Sequence, residues 1–242
     1  MTTQALTGQR IAAAELDGWT QLLSFGQAGL ETRIHTESFS HGLRLVASIG
    51  QAAEELDHHA ELDLRAFQVD VRLSSRDDGG VTETDVTLAR RITQIAAAAG
   101  AELGCAGLAR IELGLDTPAY DKIAPFWAAV FDSEHVIGTE AWGDVGDPRL
   151  GLPMIWFRTA DAQETARVWR PHLWVDPTQI RPRIDAALAA GGTLVSDEGA
   201  PSMWVLSDPD GNRVQLCTWQ PGTSTLCDSQ YRPGGPNWVL RD

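Results

Sequence analysis

Two adjacent histidines, His58 and His59, close the acidic run Glu54-Glu55-Leu56-Asp57. Imidazole titrates near neutral pH, so a neighbouring pair can give a proton at one point of a ligand and take one at another. The same pair at the end of a helix has a plainer use, since protonated imidazole is favoured by the helix dipole. A second set of candidates is Glu112, His172 and Gln215, with Trp174 beside them. Glu112 and His172 each stand four residues before an aspartate, Asp116 and Asp176, in what reads as two copies of one unit. One carboxylate, one imidazole and one amide make a weak divalent site. Hydrogen bonding within a cleft, with no bound metal, is the reading those donors favour. The cysteines are Cys105, Cys217 and Cys227. They are too few and too scattered for a disulfide framework or a zinc knuckle. Cys217 lies two residues beyond Gln215, so strand alternation can place both on one face.

The elements that must position these residues are visible as periodicity. Phe39, Leu43, Val46, Ile49, Ala53 and Leu56 recur at helical spacing, so the histidines follow the C-terminus of an amphipathic helix over 39–56. Phe67, Val69, Val71 and Leu73 alternate, which predicts a half-buried strand over 66–74. Asp78-Gly79-Gly80 breaks the chain. Thr82-Glu83-Thr84-Asp85 then has capping-box spacing, with Asp for the usual Glu, and opens a helix through Leu88, Ile92 and Ile95. Upstream, Thr7 caps a short helix running toward Leu16, and two strands are expected over 19–23 and 29–36.

Three glycines within 97–108 end a helix and suggest a hinge. This predicts domains at 1–100 and 108–220 with a linker at 101–107. In the second domain, strands ending at Asp116 and Asp176 each precede a helix, over 120–131 and 178–190. Strand-like stretches follow at 134–142 and 150–157, then at 193–196, 203–206 and 213–219. Asp208-Pro209-Asp210-Gly211-Asn212 reads as the turn between the last two. Two βαβββ copies would bury a shared cleft between curved sheets. Residues 221–242, rich in Pro, Gly and Ser, read as a C-terminal tail.

Across 30–92 the chain carries Ala53-Glu54-x-x-Asp57-His58-His59, then Val69-x-Val71-x-Leu73, then Gly79-Gly80-Val81-Thr82-x-x-Asp85 followed by Leu88-Ala89, with Gly18-Trp19 upstream. This pattern resembles the pterin-4a-carbinolamine dehydratase family over most of residues 1–100. The resemblance implies an antiparallel four-stranded sheet with helices on one face, an oligomer, and dehydration of 4a-hydroxytetrahydropterin without metal or organic cofactor. It makes His58 and His59 two of the family's three histidines, the second pointing into the pterin cleft, and Asp85 the active-site acid. Glu55 and Arg76 are expected to contact substrate. Arg76 stands where the family has its third histidine, after Leu73-Ser74-Ser75. A guanidinium stays protonated, so it cannot recycle a proton, although it can hydrogen-bond a carbonyl. Ala60 also replaces an expected proline, and Phe67 falls one place late.

Residues 108–220 resemble the vicinal-oxygen-chelate superfamily in its glyoxalase-like branch. The matching residues are Pro125-Phe126-Trp127, Pro171-His172-Leu173-x-Val175-Asp176, Ala190-Gly191-Gly192 and Asp208-Pro209-Asp210-Gly211-Asn212-x-Val214. The resemblance puts ligands on the first and last strands of each half. Here that gives Glu112, His172 and Gln215, the last where a glutamate is usual, and nothing from 153–157. Trp127, Trp156, Trp174, Trp204 and Trp219 are mostly core, with some available to stack a planar ligand.

The 242 residues are 43% hydrophobic and 21% charged, an ordinary globular balance. Nineteen basic residues against 33 acidic give a net charge of -14, which repels nucleic acid and anionic membrane. No apolar run reaches the ~20 residues of a membrane span. The N-terminus lacks the basic and apolar blocks of a signal peptide, so a cytoplasmic protein is expected. The sequence thus predicts an α+β chain: a pterin dehydratase-like antiparallel sheet with helices on one face, then a paired βαβββ glyoxalase-like domain. Its expected function is that of a 4a-hydroxytetrahydrobiopterin dehydratase-like lyase, a homo-oligomer with a pterin-like ligand and no cofactor. Two other readings stand beside it. One is a non-catalytic small-molecule binder with two degenerate sites. The other is a glyoxalase- or dioxygenase-like enzyme whose first domain dimerises.

Overall fold

The computed structural model describes residues 4–24, 27–75, 78–131, 135–136, 142–146, 153–159, 169–207 and 213–220. The chain divides into two units that meet between Leu108 and Ala109.

The first unit begins with a short helix α1 (Gly8–Ala12), whose N-cap Thr7 accepts from the Arg10 amide. It continues through β1 (Thr20–Ser24), β2 (Gln27–His35), α2 (Phe39–Glu55), β3 (Glu61–Arg65), β4 (Gln68–Leu73), α3 (Glu83–Ala98) and β5 (Glu102–Gly104). The strands form an antiparallel sheet in the order β1-β2-β4-β3, with β5 also paired to β2. Residues 101–107, expected to be a linker, therefore contribute a strand. Its three residues are too few to show a period, and the glycines around it read as breaks. Strand β3 was also not visible as a separate element. Its leucines, Leu62 and Leu64, are only half-buried between exposed charges.

One face of the sheet presents Leu30, Ile34, Val69, Val71 and Leu73 to Leu45 and Ile49 of α2 and to Val86, Leu88 and Ile92 of α3. Each such buried side chain contributes about 1.5–3 kcal/mol relative to exposure. The opposite face is charged. Directly opposed residues run Glu31, Arg72, Glu61 across three strands, and Arg33, Asp70, Asp63 one step along. Arg33 grips Asp70 with two hydrogen bonds of 2.7 Å, and Arg72 lies 3.4 Å from both Glu31 and Glu61.

The second unit contains β6 (Ala109–Thr117), α4 (Tyr120–Phe131), β7 (His135–Val136), β8 (Trp142–Val145), β9 (Ile155–Thr159), β10 (Trp169–Val175), α5 (Pro177–Ala189), β11 (Thr193–Ser196), β12 (Met203–Ser207) and β13 (Arg213–Cys217). Both halves have βαβββ order and share one sheet, β11-β12-β13-β10-β6-β9-β8-β7. Antiparallel pairing of β6 with β10 joins the halves. Asp176 caps α5 by accepting from the Thr178 amide at 2.8 Å, and Pro177 follows where no helical N–H is needed. Alternation sorts the strands. Leu115, Ile155 and Phe157 pack on Ala124 and Ala128 of α4, while Val175, Leu206 and Leu216 pack on Ile180 and Ile184 of α5. The other parity of β6, β9 and β10 presents Glu112, Asp116, Trp156, Arg158, His172 and Trp174. The expected 208–212 turn and the tail at 221–242 lie outside the described residues. Among the described residues no helix is long and apolar enough to cross a membrane.

Candidate active site of the first unit and polar face of the second

Helix α2 ends in a reversal that aims the histidine pair. The Asp57 amide bonds to the Glu54 carbonyl at 3.1 Å and the His58 amide to the Ala53 carbonyl at 3.0 Å. This is the Schellman arrangement, with the left-handed position taken by Asp57 at φ +49° instead of glycine. The reversal carries His58 toward the start of α3. There its Nε2 lies 2.8 Å from Oδ1 of Asp85.

Asp85 is fully buried. Its Oδ2 accepts from the Thr82 amide at 2.7 Å, the Thr82 hydroxyl at 2.9 Å and the Ser75 hydroxyl at 2.8 Å. The Thr82 amide contact belongs to the capping box expected from the sequence. The Ser75 contact comes from the chain just beyond β4. Ser75 and Gly80 exchange backbone hydrogen bonds of 2.8 and 3.1 Å, closing a loop whose glycines hold φ of +82° and +149°. A helix end, a strand end and a helix start thus meet on one carboxylate.

The other candidates of this unit are dispersed. The His59 side chain is 75% exposed, with Nε2 3.3 Å from Glu54 Oε1. The Glu55 carboxylate lies 3.5 Å from Arg91 of α3. Arg76 lies outside the described residues. Ser75 was not anticipated as a site residue. Its only signal was its place beside Arg76 at the end of an alternating strand.

In the second unit, Glu112 lies directly opposite His172 across β6 and β10, and His172 directly opposite Gln215 across β10 and β13. The three candidates therefore share one face. Trp174 joins them by donating Nε1–H to Glu112 Oε2 at 3.1 Å. Cys217 Sγ lies 3.8 Å from His172 Nδ1. Trp156 stands edge-on to His172, ring centroids 4.9 Å apart, and crosses the space above Gly114. A Cβ at Gly114 would lie 2.5 Å from that indole. Among the described residues Trp156 Nε1 and Gln215 Oε1 find no hydrogen-bond partner, although both are buried.

Asp144 of β8, opposite Trp156, was missed by sequence reasoning because it sits in a four-residue strand with no motif. Burial, and secondarily the charge of Glu112, push its carboxyl up to about 7. These donors do not fit a divalent ion. The Glu112 carboxylate is taken by an indole N–H, and an amide replaces the second carboxylate.

Residues 3–95 match the family profile described as pterin 4 alpha carbinolamine dehydratase, and residues 112–217 the one described as glyoxalase-like domain. A provisionally named pterin-4-alpha-carbinolamine dehydratase of Nocardia farcinica is 35% identical over 98 residues, 40% of this chain and 99% of that protein. Among solved structures, a transcriptional coactivator/pterin dehydratase from Brucella melitensis is 33% identical, covering 38% of this chain and 99% of its own with a TM-score of 0.36. A glyoxalase/bleomycin resistance protein/dioxygenase superfamily member from Vibrio splendidus is 12% identical, covering 46% of this chain and 99% of its own with a TM-score of 0.34.

Proposed function

Because the chain belongs, through its first unit, to the pterin 4 alpha carbinolamine dehydratase family, with a glyoxalase-like domain fused behind it, we propose that it eliminates water from a 4a-hydroxytetrahydropterin. In that reaction the C4a–O bond breaks, the hydroxyl leaves as water with one added proton, and N5 loses its proton. His58, oriented by Asp85, takes the N5 proton. His59, exposed at the helix end, gives a proton to the departing hydroxyl. Imidazoles suit both steps near neutral pH. Arg76, next to Ser75 in the chain, steadies the pterin carbonyl. No step calls on a cofactor.

The observation that carries this reading is the 2.8 Å contact between His58 and a wholly buried Asp85. Burying a carboxylate against an imidazole costs solvation, and here the cost is met by three further donors. The test is formation of quinonoid dihydropterin from a 4a-hydroxytetrahydropterin generated in the assay. Wild type should accelerate it, and His58→Ala or His59→Ala should each lose on the order of 10²-fold or more. Equal rates for wild type and both variants would overturn the proposal.

Arg76 in place of a histidine favours a second reading, a pterin binder without turnover. Tight binding of a dihydropterin with no rate acceleration would select it. The family's oligomerisation is proposed here as well. Its support is an apolar patch in which Phe39 and Leu43 are each 54% exposed and Phe67, whose carbonyl accepts from the Thr36 amide just ahead of α2, is 66% exposed.

A further inference from the structure

We propose that Ser75 and Thr82 are positioning residues for His58. By clamping one oxygen of Asp85 they hold the other against His58, whose imidazole then carries its hydrogen on Nε2 and leaves Nδ1 as the nitrogen that accepts a proton. The kinetic part of this proposal rests on the dehydratase reading, and the structural part does not.

The argument starts from donors and acceptors. Oδ2 of Asp85 receives three hydrogens, from the Thr82 amide, the Thr82 hydroxyl and the Ser75 hydroxyl. Oδ1 has His58 Nε2 at 2.8 Å. A carboxylate oxygen only accepts, so the neutral imidazole must present Nε2–H to it, and its lone pair is then on Nδ1. Rotating the carboxylate would break all three contacts to Oδ2 in a site with no solvent to replace them.

One of the three donors, the Thr82 amide, belongs to an ordinary helix cap, and the Thr82 hydroxyl comes from the same residue. Ser75 stands apart: it comes from the strand side, ten residues earlier, and the capping box is complete without it. Its hydroxyl also lies 3.0 Å from the Thr82 hydroxyl, so the two side chains hold Oδ2 as a pair. The end of β4 thereby reaches the imidazole at the end of α2 through a carboxylate on α3.

The donors on Oδ2 make a prediction about the amide. In Asp85→Asn, the three donors still require an oxygen at the Oδ2 position. The amide nitrogen must then occupy the Oδ1 position and donate toward His58. The imidazole can answer only by accepting at Nε2 and moving its hydrogen to Nδ1. An imidazole held in the wrong tautomer costs on the order of 10⁴-fold in turnover in a serine protease triad.

The experiment is long-range ¹H–¹⁵N correlation NMR of the full chain with ¹⁵N-labelled histidine, His58 being assigned by its loss in His58→Gln. In wild type, His58 should show a protonated Nε2 and an unprotonated Nδ1. Asp85→Asn should reverse that pattern. Ser75→Ala should keep the hydrogen on Nε2, since Oδ1 still only accepts, but by loosening the imidazole should lower kcat about tenfold with KM within about twofold, and be rescued by Ser75→Thr. A wild-type His58 protonated on Nδ1 overturns the proposal even if no variant folds. So does a Ser75→Ala kcat identical to wild type. A wild type with the expected tautomer but no pterin turnover leaves the clamp standing and removes the dehydratase reading instead.

Discussion

Replacing Asp144 with asparagine should stabilise the second unit at neutral pH and not at acid pH. The carboxyl is raised from 3.8 to about 7 by burial, with Glu112 adding to the effect. A group whose folded pKa exceeds its unfolded value binds more protons when folded. Its contribution is fully present below about pH 4 and is lost as the pH rises through about 7. The full rise corresponds to about 4 kcal/mol, and partial exposure of the residue makes about 2–4 kcal/mol the working range. Asparagine keeps the shape of the neutral acid and cannot ionise. The stability difference between Asp144→Asn and wild type should therefore be small at pH 4, grow through pH 5, 6 and 7, and level off above about pH 7.5. Urea unfolding followed by tryptophan fluorescence reads it, since Trp156 and Trp174 lie on the same sheet face. Glu112→Gln should displace the whole profile toward lower pH, because it removes the second cause. Parallel pH profiles for wild type and Asp144→Asn from pH 5 to 8 would refute the reasoning.

Three further outcomes are expected. Arg76→His should raise dehydratase turnover, since a titratable group there is worth about 10²–10⁴-fold; a slower variant in the same steady-state assay would make Arg76 a working part. Asp57→Val should destabilise the first unit by about 1–2 kcal/mol in urea unfolding, because a β-branched residue at φ +49° is strained, whereas Asp57→Gly should be neutral or slightly stabilising. Gly114→Ala should drive the Trp156 indole from its seat, shifting tryptophan emission and costing about 1–3 kcal/mol; unchanged emission and stability would show that the indole can yield.

The sequence made the long elements legible because they bury one face each. Helix α2 is announced by apolar residues at helical spacing, of which Ile49 and Ala53 are buried while Phe39, Leu43 and Leu56 are exposed, and α3 by both its capping box and its apolar stripe. Strand β4 shows through its alternation. What stayed hidden was whatever lacked a period: β5 with three residues, and β3 with its charges outward and its leucines half-covered. The same holds for the sites. His58 and Asp85 were visible as a motif, and the register opposing Glu112, His172 and Gln215 follows from the repeat. Ser75 and Asp144 were not visible. Their importance comes from a loop closure and from burial beside another acid, and neither leaves a mark in local residue order.

The charged face of the first sheet has a consequence for how the chain finds its pairing. Sliding β4 past β2 by one residue would turn its apolar side outward and is forbidden by burial alone. Sliding it by two would keep every valine and leucine inside, so burial cannot reject that error. In the native register Arg72 faces Glu31 and Arg33 faces Asp70. A two-residue slip would set Arg72 against Arg33 in one direction and Asp70 against Glu31 in the other, like charges at the closest cross-strand spacing. On the edge strand β3 only Glu61 extends the arrangement, facing Arg72; Asp63 already faces Asp70 in the native register, so the code covers the β2–β4 pairing and not β3. The charges thus act as a proofreading code for the one class of misalignment that hydrophobic patterning accepts.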